Sequence, residues 1–146
     1  MTRNIECLFC DLVAGNAEAC VVFNDVSVMG VLTIRPKHVG HVLLFPKEHV
    51  EDFALLDRAT LDHLFRVAAR LKAAICAAVP CAGFQVLINQ GPATGQRSDC
   101  RHLHVHLLPR SLGVPVDFDG RAADAPRDEL EETARKISRL LNEASP

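Results

Sequence analysis

His102-Leu103-His104-Val105-His106-Leu107-Leu108 is the stretch on which the reading of this chain turns. Imidazole and apolar side chains alternate along it. In an extended strand successive side chains point to opposite faces, so the three histidines share one face while Leu103, Val105 and Leu107 share the other. Next-but-one residues stand roughly 6.6–6.8 Å apart along a strand, which sets the rings in a row. Such a row gives up apolar burial and crowds ionisable groups, so packing alone does not account for it. Two chemistries do. Two imidazoles at i and i+2 can ligate one metal ion, or one neutral imidazole can attack as a nucleophile while its neighbours stabilise charge. The spacing leaves both open.

Working outward, residues 84–89 read as a strand joined to this one through the turn-rich run Gln90-Gly91-Pro92-Ala93-Thr94-Gly95. Residues 57–79 form the clearest helix: Leu61, Leu64, Phe65, Ala68, Leu71 and Ile75 recur at helical spacing, Asp57 caps the start and Pro80 marks the exit. Before it, residues 19–23, 27–34 and 40–45 read as strands, with a turn at Asn24-Asp25 and a stop at Pro46. A second helix runs from about residue 126 to 142, with Leu130, Ile137, Leu140 and Leu141 on its buried side. There is no internal repeat or linker, so residues 1–146 read as a single α+β domain.

The composition agrees. The chain has 146 residues, 49% of them hydrophobic and 23% charged, with a formal net charge of -2. That balance excludes a disordered tail, a collagen-like chain and a strongly basic nucleic-acid coat. With no Trp, no Tyr and seven Phe, there is little to stack on bases, so nucleic acid is not expected as a partner. No apolar run approaches the roughly 20 residues of a membrane helix, and the first residues carry no apolar signal core. A cytoplasmic protein without a membrane partner is the expectation. In that setting the six cysteines, at 7, 10, 20, 76, 81 and 100, are expected to be reduced, those outside the Cys7–Cys10 pair serving as small apolar or partly exposed residues.

Cys7-Leu8-Phe9-Cys10 is a second metal-type motif. A thioredoxin-like redox pair would open a helix after a buried strand, and no strand precedes this one. Two thiolates make half of a tetrahedral zinc site, and His49 with one member of the row are natural suppliers of the rest.

Together these segments resemble the histidine triad (HIT) family of nucleotide hydrolases and transferases. His102 to Leu108 matches its His-φ-His-φ-His-φ-φ signature, φ being apolar, at every position. Cys7-Leu8-Phe9-Cys10-Asp11 with Gly15 is similar to the start of zinc-containing bacterial members. Gly40-His41-Val42-Leu43-Leu44-Phe45-Pro46-Lys47-Glu48-His49, Ile88-Asn89-Gln90-Gly91 and His106-Leu107-Leu108-Pro109-Arg110 resemble other family segments. The resemblance covers about residues 5–112, leaving 113–146 as a C-terminal extension with a helix.

The resemblance implies a HIT-like fold: a five-stranded antiparallel half-barrel sheet with one long central helix, paired as a homodimer. It implies that His104 is the nucleophile toward the α-phosphate of a nucleotide phosphoramidate, anhydride or ester, forming a nucleotidyl-imidazole. His106 and His41 then contact phosphoryl oxygens or the leaving group, and Asn89 helps hold that group. Cys7, Cys10, His49 and His102 match the ligands of a structural Zn²⁺, leaving His104 free. Three places depart from the family pattern. Thr33 stands where relatives commonly carry an Asp that grips the ribose. The run Gln96-Arg97-Ser98-Asp99-Cys100-Arg101 is longer than usual, so motif assigns the phosphate contact to Gln96 and position to Ser98. Beyond Arg110 the tail resembles no particular branch.

Two rivals follow from the same residues. One is a metal-dependent hydrolase with the three histidines as ligands. The other is a nucleotide- or partner-binding module with little turnover, which Thr33 and the longer loop favour.

Overall fold

The computed structural model describes residues 6–97 and 101–144. It is an α+β fold with three helices and an open five-stranded antiparallel sheet. The elements run α1 (Leu8–Ala14), β1 (Val21–Asn24), β2 (Val28–Leu32), β3 (Val42–Pro46), α2 (Arg58–Ala78), β4 (Gly83–Leu87), β5 (Val105–Arg110) and α3 (Arg127–Glu143). The strand order is β1-β2-β3-β5-β4. Among the described residues no helix is long and apolar enough to cross a membrane.

Alternation divides the sheet's side chains between two cores. Val28, Leu32, Val42, Leu44, Val105 and Leu107 pack on one face against α2 and α3. Along α2 the apolar stripe is Leu64, Val67, Ala68, Leu71, Ala74 and Ile75, and the Asp57 side chain caps the helix by accepting from the Thr60 N–H. Along α3 it is Leu130, Ala134, Ile137 and Leu141. The wet side of α3 carries i,i+4 pairs such as Arg127–Glu131 and Arg139–Glu143. Met29, Val31 and Phe45 point to the opposite face and pack with Cys7, Phe9 and Leu12. That second face also carries His106, which pairs across the ladder with Leu43.

The helix α1 was not expected from the sequence. It is seven residues long, too short for an apolar period to show, and its N-cap is Cys7, whose Sγ accepts from the Cys10 N–H at 3.5 Å. It ends at Gly15 in the left-handed conformation, φ 78°. The cysteine pair thus does open a helix, still with no strand before it among the described residues.

The histidine strand is shorter than the pattern implied. β5 begins at Val105, so His102 and His104 precede it rather than lying within it. Pro46 explains the boundary. It has no N–H to offer the ladder, and its carbonyl accepts from His102 Nε2 at 2.7 Å. The chain instead ties down outside the sheet, where the Leu103 N–H donates to the Val50 carbonyl at 2.7 Å. β4 also stops early, at Leu87, leaving Ile88 and Asn89 beyond it. Cys76 and Cys81 are joined in a disulfide where the chain turns back at Pro80, their Cα atoms 5.1 Å apart. That corrects the expectation of reduced thiols there: the turn brings the two together.

Candidate active site

Four imidazoles line the second face, each held by a different piece of backbone. His41 follows Gly40, whose φ of 88° is in the left-handed region, and a Cβ there would come within 2.9 Å of the Val79 side chain. This close turn delivers His41, only 3% exposed, to the start of β3. His102 and His104 are buried in the extended approach to β5, and His106 is half-buried within it.

Hydrogen bonds fix which nitrogen of each neutral ring carries its proton. The Lys37 backbone N–H donates to His41 Nδ1 at 3.2 Å, so the His41 proton sits on Nε2. His41 Nε2 donates in turn to His106 Nδ1 at 2.9 Å, which leaves the His106 proton on Nε2. His104 Nδ1 donates to the His102 carbonyl at 2.8 Å, so its Nε2 keeps an open lone pair. His102 donates from Nε2 to Pro46, so its bare nitrogen is Nδ1. The rings touch: His104 and His106 have centroids 5.0 Å apart, and Phe9 stacks on His104 at 4.8 Å with planes 23° apart.

All four rings are held neutral. Burial, then the Lys37 ammonium and His104, lower His41 to about 4. Burial, then His104, His41 and Lys37, lower His106 to about 3. For His102 burial outweighs the bond to Pro46 and, with His49 and His104, takes it to about 4. His104 is lowered too, burial outweighing its bond to the His102 carbonyl.

Beside the row, Cys7, Cys10, His49 and His102 bring one ligand atom each to a common point, all within 4.8 Å of one another. Cys7 Sγ lies 3.5 Å from His102 Nδ1, and Cys10 Sγ lies 3.3 Å from His49 Nδ1 and 3.6 Å from His102 Nδ1. Zinc bonds of about 2.3 Å to sulfur and 2.0–2.1 Å to nitrogen at tetrahedral angles set sulfur–nitrogen edges of roughly 3.5 Å. The four residues fit a metal ion of that kind. His102 has an outer partner, its Nε2 being bonded to the Pro46 carbonyl, whereas His49 Nε2 is buried without a hydrogen bond among the described residues, Glu51 lying 3.7 Å away. Of the row, only His102 joins this group.

The remaining residues singled out by the sequence are more scattered. Asn89 is half-buried two residues past Leu87, the partner of His106, so the register carries it toward His104. Gln96 Oε1 accepts from the Gly91 N–H at 2.8 Å. Gln96, Gly91, Gln90, Arg97 and Arg101 bound a cleft of about 370 Å³ with Glu51 and Asp52. Thr33 Oγ1 accepts from the Arg35 N–H at 3.3 Å, and its N–H donates to the His41 carbonyl at 3.2 Å. Ser98 lies outside the described residues. Sequence reasoning missed Phe9 as the ring on His104 and Lys37 as the donor to His41. Phe9 carried a faint signal, being a large apolar residue between the two cysteines. Lys37 acts through its backbone, which carries no signal.

The sequence matches the HIT domain over residues 14–112. The chain belongs to the HIT family. An uncharacterised HIT-like protein of Methanocaldococcus jannaschii is 32% identical over 109 residues, covering 73% of this chain and 81% of that one. A zinc-bound histidine triad family protein from Mycobacterium smegmatis superposes with a TM-score of 0.80 at 31% identity, covering 94% of each chain. A hypothetical histidine triad nucleotide-binding protein from Sulfolobus tokodaii gives 0.83 at 28% identity, over 94% of this chain and 93% of that one. The HIT relatives also include an adenylylsulfatase from Arabidopsis thaliana, 27% identical over 75% of this chain and 54% of its own length. This HIT protein thus combines a Cys2His2 group that fits a metal ion with a family that includes a zinc-bound structure.

Proposed function

We propose that this HIT protein is a nucleotide hydrolase or nucleotidyltransferase that works at the α-phosphate through a covalent nucleotidyl-histidine. One observation carries the reading: His104 Nδ1 is tied to the His102 carbonyl, which reserves the Nε2 lone pair for attack. That lone pair forms a bond to phosphorus, and the bond from phosphorus to the leaving oxygen or nitrogen breaks, its electron pair going to the leaving atom. His106, with its proton on Nε2, and His41 behind it supply donors to the phosphoryl oxygens or the leaving group. A positioned donor of this kind is worth roughly 3–4 kcal/mol. Water then attacks phosphorus, the phosphorus–nitrogen electron pair returns to Nε2, and a proton and the nucleotide depart. Asn89 and either Gln96 or Ser98 hold the phosphates, with Thr33 toward the sugar. A nucleotide-binding and an adenylylsulfatase relative support this substrate class.

We assign the Cys7, Cys10, His49 and His102 group to one structural Zn²⁺ per chain. These four residues would hold the ion with no position left for water, and the ion would supply rigidity there. Cys7 and Cys10 would thereby tie the N-terminal turn to His102, whose carbonyl holds His104.

Intact-mass spectrometry during turnover of adenosine phosphoramidate and a diadenosine polyphosphate tests the mechanism. The expected result is a transient gain of one nucleotidyl group that His104→Gly abolishes. Turnover without any adduct, stopped by chelation, would favour a metal-dependent hydrolase instead. A second reading, nucleotide binding with little turnover, draws on Thr33 at the ribose position: a hydroxyl cannot match the two-point grip of a carboxylate. Tight binding of a mononucleotide with negligible turnover of either substrate would select it.

We further propose that residues 1–146 act as one domain that pairs with a second copy. β4 lies at the open edge of the sheet. Val86 is 49% exposed there, and Phe53, Phe65, Ala69 and Ile88 line an apolar groove alongside. Light scattering is expected to give a dimer, and Phe65→Glu a monomer.

A further inference from the structure

The segment between β5 and α3 has no regular structure, yet it is tied down along the loop that leads into His41. Ala125 N–H donates to the Ile34 carbonyl at 2.9 Å, Arg35 Nε to Asp124 Oδ1 at 2.7 Å, and His38 Nε2 lies 2.7 Å from Ser111 Oγ. At the centre is Lys37. Its ammonium donates to two main-chain carbonyls of this strap, those of Asp117 and of Gly120, the latter at 2.8 Å. The turn that presents both carbonyls is itself built: Asp117 Oδ1 accepts from the Asp119 and Gly120 N–H groups at 3.0 and 2.9 Å. A Cβ on Gly120 would run into the Asp117 carboxylate. Two carbonyls on one ammonium fix the side chain of Lys37, and with it the peptide whose N–H reaches His41 Nδ1.

We propose that Lys37 is a positioning residue for the His41–His106 pair, and that the 117–120 turn of the C-terminal strap is its anchor. The strap holds Lys37, the Lys37 N–H selects the Nε2–H form of His41, and His41 thereby makes His106 present its own Nε2–H to the reacting group. A neutral imidazole free to exchange tautomers would spend part of its time with both facing nitrogens bare or both protonated, and the relay would be broken. This inference rests on the proposed turnover for its kinetic consequence, but not for its structural one.

Long-range nitrogen–proton NMR correlations of the imidazoles, together with kcat and KM for adenosine phosphoramidate, test it in the full chain. In the unsubstituted protein His41 and His106 should each give the signature of a single Nε2–H tautomer. Lys37→Met should leave His41 a tautomer mixture and lower kcat about tenfold to a hundredfold, the scale on which a histidine's orienting partner acts, with KM little changed. Lys37→Arg, which keeps donors for both carbonyls, should restore both readouts. Asp117→Ala, which leaves Lys37 intact and loosens only the turn, should reproduce the Lys37→Met change more weakly and serves where that variant does not fold. Unaltered tautomers with kcat within about twofold in Lys37→Met, or Arg no better than Met, would overturn the proposal. A protein without turnover whose His41 tautomer still shifts in Lys37→Met would overturn the catalytic reading and uphold this one.

Discussion

The row of imidazoles is braced on two sides by devices of different kinds. On the His102 side, Cys7, Cys10 and His49 converge on a ring nitrogen, and Phe9 from the same short helix stacks on His104. On the His106 side the described residues show no such cluster: His41 takes its proton order from the backbone N–H of Lys37, whose ammonium is held by main-chain carbonyls some eighty residues away in sequence. The first flank works through side-chain chemistry that only cysteine and histidine supply. The second works through backbone N–H and carbonyl groups joined by one ammonium, that of Lys37. Both converge on His104, whose substitution therefore tests them together. His104→Gly should abolish turnover, a loss of more than about a thousandfold, while nucleotide affinity measured by calorimetry stays within severalfold. Full activity in that variant would end the nucleophile assignment.

The next largest effect separates the flanks. Cys10→Ser should take bound zinc, read by elemental analysis, from one per chain to a small fraction, and should lower thermal stability sharply, because metal binding at such a site is folding free energy. The tautomer signatures of His41 and His106 should survive wherever the protein remains folded, because neither ring is a ligand. If they collapse along with the metal, the two flanks are one cooperative unit rather than two.

The contrast also explains what the sequence disclosed. The alternation of His102, His104 and His106, the Cys7–Cys10 pair and the long apolar stripe of α2 are patterns of side-chain type, so fold class and candidate residues could be read directly. The start of β5 could not. It depends on Pro46 withholding an N–H and giving its carbonyl to the His102 ring, a pairing 56 residues apart. α1 escaped because a cysteine replaces the usual Ser, Thr, Asp or Asn at its cap. The strap escaped for a third reason: Asp117 and Gly120 contribute carbonyls to Lys37, and a carbonyl has no residue code.

A smaller effect probes the bridge between α1 and the nucleophile. Phe9 is 4% exposed, with Phe45 4.7 Å from it edge-on and His104 stacked at 4.8 Å. Phe9→Ala should cost about 3–5 kcal/mol of stability in denaturant unfolding through the cavity it leaves. Phe9→Leu keeps most of the volume and loses the ring contact, worth about 0.5–1.5 kcal/mol. If the stack orients His104, Phe9→Leu should lower kcat severalfold with KM unchanged. An unchanged kcat would make Phe9 a core residue and nothing more.

The pH dependence of the His106 flank probes the other side of the row, and its sign follows from the depressed values. His41 is held near 4 and His106 near 3, with burial as the main cause, the Lys37 and His104 charges adding to it for both and the His41 charge adding for His106. An unfolded histidine titrates near 6.5, so below that pH the unfolded chain binds protons that the folded chain refuses. Stability is therefore full above about 6.5 and falls as the pH drops toward 4 and then 3, by up to about 1.4 kcal/mol per pH unit for each ring. Acid would also strip a metal from the other flank, so the comparison is best made in Cys10→Ser, where little zinc is expected to remain. There the slope between pH 6.5 and 5 should persist, and His41→Asn should remove part of it. A slope seen only in the zinc-loaded protein would place all of the acid sensitivity on the cysteine side. The two flanks would then differ in proton order but not in their response to acid.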